Sequence, residues 1–156
     1  MGTQMRASGG LVLRCFLLGA ATGARGSLGI APPLLAGGPQ GRARRVLPAL
    51  GVAGELVIDK LPTTPSRLLP PGPQLRVATA VVGSTVLARR AGASPPLAAL
   101  AGAAGAVTGT WTGAGWRRWV DARTADWKGA VVEDAVALTL ACLAVRGSGA
   151  VPSASR

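Results

Sequence analysis

Four of the six acidic residues in this chain stand where acids are costly. Glu55 and Asp59, four residues apart, share a helix face at the end of an apolar run, and Lys60 abuts Asp59. Glu133 and Asp134 are adjacent near the start of a later apolar run. An ionised carboxylate in hydrocarbon costs about 2.5–3.5 kcal/mol even on a lenient insertion scale. Such groups must face a bundle interior, water or a cation. Arg14 and Arg25 in the first apolar stretch are available cations, with Arg25 the first candidate partner for Glu55 and the Glu133–Asp134 pair the expected companion. Three chemistries fit a centre made of Arg25, Glu55, Asp59, Lys60, Glu133 and Asp134. The acids can balance Arg at helix ends in the headgroup zone. They can form a buried ion-pair network that fixes helix register. Or Glu55 and Glu133 can be the central carboxylates of a solute, proton or cation path.

Other chemistry is poorly provided for. The chain has no His, and no GxSxG, P-loop or HExxH string. It is therefore read as not an enzyme. Cys15 and Cys142 lie inside apolar runs without a CxxC partner, so they read as small buried hydrophobes. No metal site and no cofactor is expected. The net charge of +11 first suggests nucleic acid or anionic lipid. Arg occurs in ones, twos and threes at the ends of apolar segments, as at Arg42, Arg44 and Arg45, Arg89 and Arg90, and Arg117 and Arg118. No basic face with interleaved stacking aromatics appears, which argues against nucleic acid and for a lipid bilayer as partner.

The elements that must position these residues are apolar. Of 156 residues, 49% are hydrophobic, with 23 Gly and 12 Pro. The Ala/Gly/Arg/Pro bias suits a GC-rich bacterial source. Five stretches stand out: Gly9 to Leu35, broken by Arg14, Arg25 and Pro32–Pro33; Val46 to Leu61; Leu75 to Ala88; Pro95 to Trp116; and Gly129 to Val145. A straight span needs about twenty apolar residues, which only the fourth meets comfortably. The third and fourth lack the polar stripe of a soluble surface helix. The expected organisation is an N-terminal tail over 1–8, one membrane-embedded domain over 9–146 and a disordered tail over 147–156. The Arg-bearing N-terminus could be a transit or signal segment, but further apolar segments follow it, so it reads as a retained helix. Trp111, Trp116, Trp119 and Trp127 cluster around "WRRWVDARTADWKG", which reads as an interfacial connection over 117–128. Lys and Arg are nearly balanced between alternate loops, leaning only slightly to a cytoplasmic N-terminus.

Small residues suggest where helices meet. Ala101, Gly105, Gly109 and Gly113 recur every fourth residue, as do Gly19 and Gly23. Such rows form flat strips where two backbones can approach, within the chain or in a homo-oligomer. A faint repeat aligns "LLGAATGARGS" from Leu17 with "LAGAAGAVTGT" from Leu100, and Gly51-x-x-x-Glu55 with Gly129-x-x-x-Glu133.

At "GARGSLGIAPPLL", "GELVIDKLPTTPSRL" and "GAVVEDAVAL" the chain resembles a bacterial family of small multi-pass membrane proteins, domain of unknown function 4126. The matching residues are Gly23, Arg25, Glu55, Asp59, Lys60, Pro62, Pro65, Glu133 and Asp134, and the resemblance spans about residues 15 to 146. It implies a membrane location and no assigned activity. The expectation is an all-α, integral membrane helical bundle of four or five segments in the bacterial inner membrane. It would be a transporter- or channel-like subunit, or a structural or partner-binding protein in which the charges only fix packing and topology.

Overall fold

The computed structural model describes residues 2–36, 46, 48, 50–53, 69–123 and 126–146, and among these the chain is all-helical. Helix α1 runs Gly2–Ala24, followed by a 3₁₀ turn at Gly26–Gly29 and a short helix α2 at Ala31–Leu35. Helix α3 covers Gly72–Arg90, α4 Pro95–Asp121 and α5 Asp126–Val145.

Local sequence explains most of these boundaries. Proline occupies the first turns of α2, α3 and α4, where its missing N–H has no intrahelical role to lose. Arg89 and Arg90 sit in the last turn of α3, where a cation suits the helix dipole. Beyond them Gly92 takes φ 63°, its N–H donates to Arg89 O at 3.2 Å, and Ala93 N–H donates to Ala88 O at 2.9 Å. This pair of bonds closes a Schellman motif, and the left-handed position is one that glycine adopts without strain. The tight turn to α4 follows directly.

Helix α1 is the central element, touching α4 most extensively and then α5 and α3. It runs parallel to α4, with Gly19 against Gly102 and Gly23 against Ala106–Thr110. It runs antiparallel to α5, because Arg14 Nε donates to Ala144 O at 2.6 Å while Arg25 reaches Asp134. It is also antiparallel to α3, since Cys15 lies by Ser84 and Arg76 by Gly23. After α1 ends, the chain doubles back along α3. Gly29 packs on the backbone of Thr79, and Pro33 O accepts a hydrogen bond from Arg90. The core divides into one cluster around Cys15, Leu18 and Leu87 and another around Ala21, Leu28 and Ala141.

Several boundaries differ from the sequence expectation. The helix begins at Gly2, so described residues of the supposed 1–8 tail are helical. Arg14 does not interrupt α1; its long side chain reaches across to α5. The break comes at Arg25 and Gly26, whereas Pro32 and Pro33 open a new helix instead of ending one. Helix α4 continues five residues past Trp116, and α5 starts three before Gly129, so most of the supposed connection 117–128 is helical. Arg and Trp carry no backbone obstacle to continuing a helix, so charge and aromatic content alone did not mark its end. Cys15 is buried as expected, but Cys142 is exposed. Most of the second apolar stretch, Val46 to Leu61, and the tail 147–156 lie outside the described residues.

Among the described residues, no helix is long and apolar enough to cross a membrane. The distribution of polarity is nonetheless inverted for a surface helix. Helix α4 has no charge from Pro95 to Trp116, and its outward Leu97, Leu100, Val107 and Trp111 are exposed. Between Gly129 and Val145 the only charges are Glu133, which is 6% exposed, and its neighbour Asp134, while Val131, Val136 and Leu143 face out.

Candidate functional site

The best-defined polar cluster surrounds the point where α1 stops inside the bundle. A helix end leaves backbone carbonyls without intrahelical partners. Here Gly23 O accepts a hydrogen bond from Arg76 Nη1 at 3.2 Å, and the buried Thr110 hydroxyl lies 3.4 Å from the same oxygen. Arg25 follows immediately and is 2% exposed. A cation at a helix C-terminus is favoured by the macrodipole. Its guanidinium donates from Nε to Asp134 Oδ1 at 2.7 Å and from Nη2 to the same carboxylate. This buried ion pair joins the end of α1 to the third turn of α5.

The neighbouring acid turns the other way. Glu133 Oε2 lies 3.6 Å from Arg117 Nη1 on α4. Its other oxygen, Oε1, lies 3.1 Å from where a Cβ on Gly113 would stand. Successive residues on a helix project about 100° apart, so an adjacent pair of acids can serve two different neighbours. Asp134 holds α1 and Glu133 approaches α4. The two residues thus tie three helices at one level.

The glycines divide by partner. On α1, Gly19 and Gly23 face Gly102, Ala106 and Gly109 so closely that any added Cβ would enter α4 backbone. Gly105 and Gly109 face the α1 backbone at Phe16 and Ala20 in the same way. The two segments that align in the faint repeat therefore lie side by side in parallel, and the seam is occupied within the chain. Gly113 belongs to the same row but faces Glu133, because α1 has already ended.

Past that point α4 and α5 touch only sparsely. Between them, over α1, opens a cleft of about 380 Å³ lined by Gly109, Gly113, Trp116, Glu133, Val136 and Leu140 among others. Trp116 bridges its end by donating Nε1–H to Gly129 O at 3.3 Å. Trp116 stacks on Trp119 with centroids 5.5 Å apart, and the Arg123 guanidinium lies 4.4 Å over Trp119. This aromatic–cation stack belongs to the α4–α5 corner that the sequence marks by its Trp content.

Of the six residues expected to form a polar centre, Arg25 and Asp134 are joined, and Glu133 lies beside them. Glu55, Asp59 and Lys60 lie outside the described residues. The expected pairing of Arg25 with Glu55 therefore also lies outside the described residues; among the described residues Arg25 engages Asp134. Sequence reasoning missed Arg76 and Arg117. Arg76 falls inside the expected third stretch, Leu75 to Ala88, without being singled out as a site residue. Among the described residues, no group of three His, Cys, Asp or Glu side chains could hold a metal ion. No family model matches the chain, and neither a curated protein nor a solved structure does.

Proposed function

We propose that this chain is a small multi-pass protein of the bacterial inner membrane in which buried charges fix helix register and topology. The observation that carries the reading is the inversion of polarity. In the middle of α1 and α5 the charged side chains, Arg14, Glu133 and Asp134, are turned toward neighbouring helices, the middle of α4 has no charge, and large apolar side chains are exposed on α4 and α5. Contiguous exposed apolar faces of this extent mark a surface meant for lipid or a partner. The resemblance to domain of unknown function 4126 implies the same location.

The shortfall in span hydropathy has a physical source. Helix α4 has 27 residues, about 40 Å at 1.5 Å per residue, against a hydrocarbon core of about 30 Å. Its apolarity is diluted by Gly and Thr, and its glycines are what let α1 approach. Close packing through small residues replaces the hydrophobic drive that lipid removes. Alkaline carbonate extraction of cell membranes tests the location: the protein is expected in the membrane pellet, and its release to the soluble fraction overturns the reading.

The register-fixing role rests on the Arg25–Asp134 pair and on Arg76 at the carbonyl of Gly23. A transporter- or channel-like role draws on a different observation, the presence of Glu133 on the wall of the α4–α5 cleft. Proteoliposome flux under proton and cation gradients separates the two. Flux abolished by Glu133→Gln with stability retained favours transport, whereas a wild-type protein silent under every gradient leaves the register-fixing role.

A further inference from the structure

We infer that the α4–α5 cleft is a lipid site that holds one acyl chain of an anionic phospholipid with the phosphate at Arg123. The inference rests on the membrane reading above and adds a specific partner to it. The cleft is walled mainly by apolar groups, among them Val132, Val136, Ala137 and Leu140. Its volume of about 380 Å³ falls within the roughly 300–1,000 Å³ of pockets that hold small ligands. Val132 and Val136 are exposed, so the cleft opens on the flank of the bundle, where the adjoining surface is apolar. In a bilayer that opening faces acyl chains rather than water.

Charge and aromatic placement choose the headgroup. Trp116 lines the cleft, Trp119 stacks on it one turn further along α4, and Arg123, two residues past the end of α4, lies over the Trp119 ring. The ring of Trp119 and its carbonyl, which accepts a hydrogen bond from Arg123 Nη1 at 3.0 Å, hold the guanidinium beyond the end of the cleft. A guanidinium has five N–H donors in a planar fork that matches phosphate oxygens, so a phosphate can be added to this arrangement. Indole rings favour the depth where acyl chain meets headgroup, which is where Trp116 and Trp119 would lie beside such a lipid. Glu133, the one carboxylate among the described residues lining the cleft, stands 3.6 Å from Arg117 and so presents little net charge to the chain lying beside it. Arg118 supplies a control: at two residues from Trp116 it projects to the opposite side of α4, where it donates to Ala114 O.

Intrinsic Trp fluorescence in phosphatidylcholine vesicles doped with a minor fraction of lipid brominated on its acyl chains tests the site. Wild-type protein is expected to be quenched more strongly by brominated phosphatidylglycerol than by an equal fraction of brominated phosphatidylcholine. Arg123→Gln should weaken the phosphatidylglycerol preference about fivefold, the value of one cation near a lipid surface. Val136→Phe, which fills the cleft from an exposed position, should also reduce it, while Arg118→Gln leaves it in place. Equal quenching by the two lipids overturns the site while leaving the membrane reading intact. So does an equal loss from Arg118→Gln, which would mean diffuse attraction to a basic protein. Absence of quenching by either lipid, with no flotation of protein with vesicles, removes the membrane reading itself and the site with it.

Discussion

Helix α4 meets α1 and α5 by two different kinds of contact. Against α1 it presents Gly105 and Gly109 to the backbone of Phe16 and Ala20, and Gly19 of α1 meets the backbone of Gly102 and Ala106, with no room for a methyl group on any of these three glycines. Against α5 it relies on long side chains, with Trp116 reaching Gly129 and Arg117 reaching Glu133 across an open cleft. The same row of small residues runs through both regions. What changes is the partner, since α1 stops at Ala24 and among the described residues it is the Glu133 side chain that stands beside Gly113. Small residues thus permit close approach without commanding it. The first interface is rigid by shape, and the second depends on a few polar contacts that can be changed one at a time.

The largest effect expected from breaking this contrast is at the seam. Gly109→Val would place its side chain in the backbone of Ala20, and neither helix can yield locally. Overpacking commonly costs about 1–3 kcal/mol, and more where backbone must shift. Gly115→Ala, on the same helix with nothing within 4 Å of the new methyl, should be neutral or stabilise by up to about 1 kcal/mol through helix propensity. Thermal unfolding in detergent compares them. Equal midpoints for the two variants would mean that the seam is not close-packed.

The buried pair comes next. Asp134→Ala removes the carboxylate to which Arg25 Nε and Nη2 donate, and breaking a buried pair costs about 3–5 kcal/mol. Replacing both partners, Arg25→Leu with Asp134→Ala, should recover part of that loss, because the buried guanidinium is removed together with its carboxylate. A double variant whose loss equals the sum of the single losses would show the two residues to be uncoupled. The same substitution at Glu133 should cost less, because its 3.6 Å contact with Arg117 is longer than the 2.7 Å hydrogen bond from Arg25 to Asp134.

How much of this was legible follows from the kind of contact involved. The glycine spacing predicts a close seam from local pattern alone, and the Pro95–Pro96 pair marks the start of α4. The choice of Asp134 for Arg25 was not legible. The two are 109 residues apart, and spacing along the chain puts Glu55 ahead of Asp134 as the first candidate for the same cation. Arg76 was obscured for a related reason. It sits one turn into α3 behind a Pro-rich segment, and only the position of the end of α1 makes it a capping group. Outer boundaries failed where charge was taken to end a helix, as at Arg117 and Arg118.

The cleft side should respond more mildly than the seam or the ion pair. Trp116→Phe keeps an aromatic ring on the cleft wall but removes the donor to Gly129 O. A single hydrogen bond contributes about 0.5–1.5 kcal/mol net. The expected loss in thermal stability is therefore about 1 kcal/mol, small beside that of Gly109→Val. The useful readout is local: amide hydrogen exchange around Gly129 should rise while the α1–α4 seam stays protected. Equal acceleration at both interfaces would mean that the bundle opens as one unit, and the distinction between a shape-locked seam and a side-chain-bridged cleft would not hold.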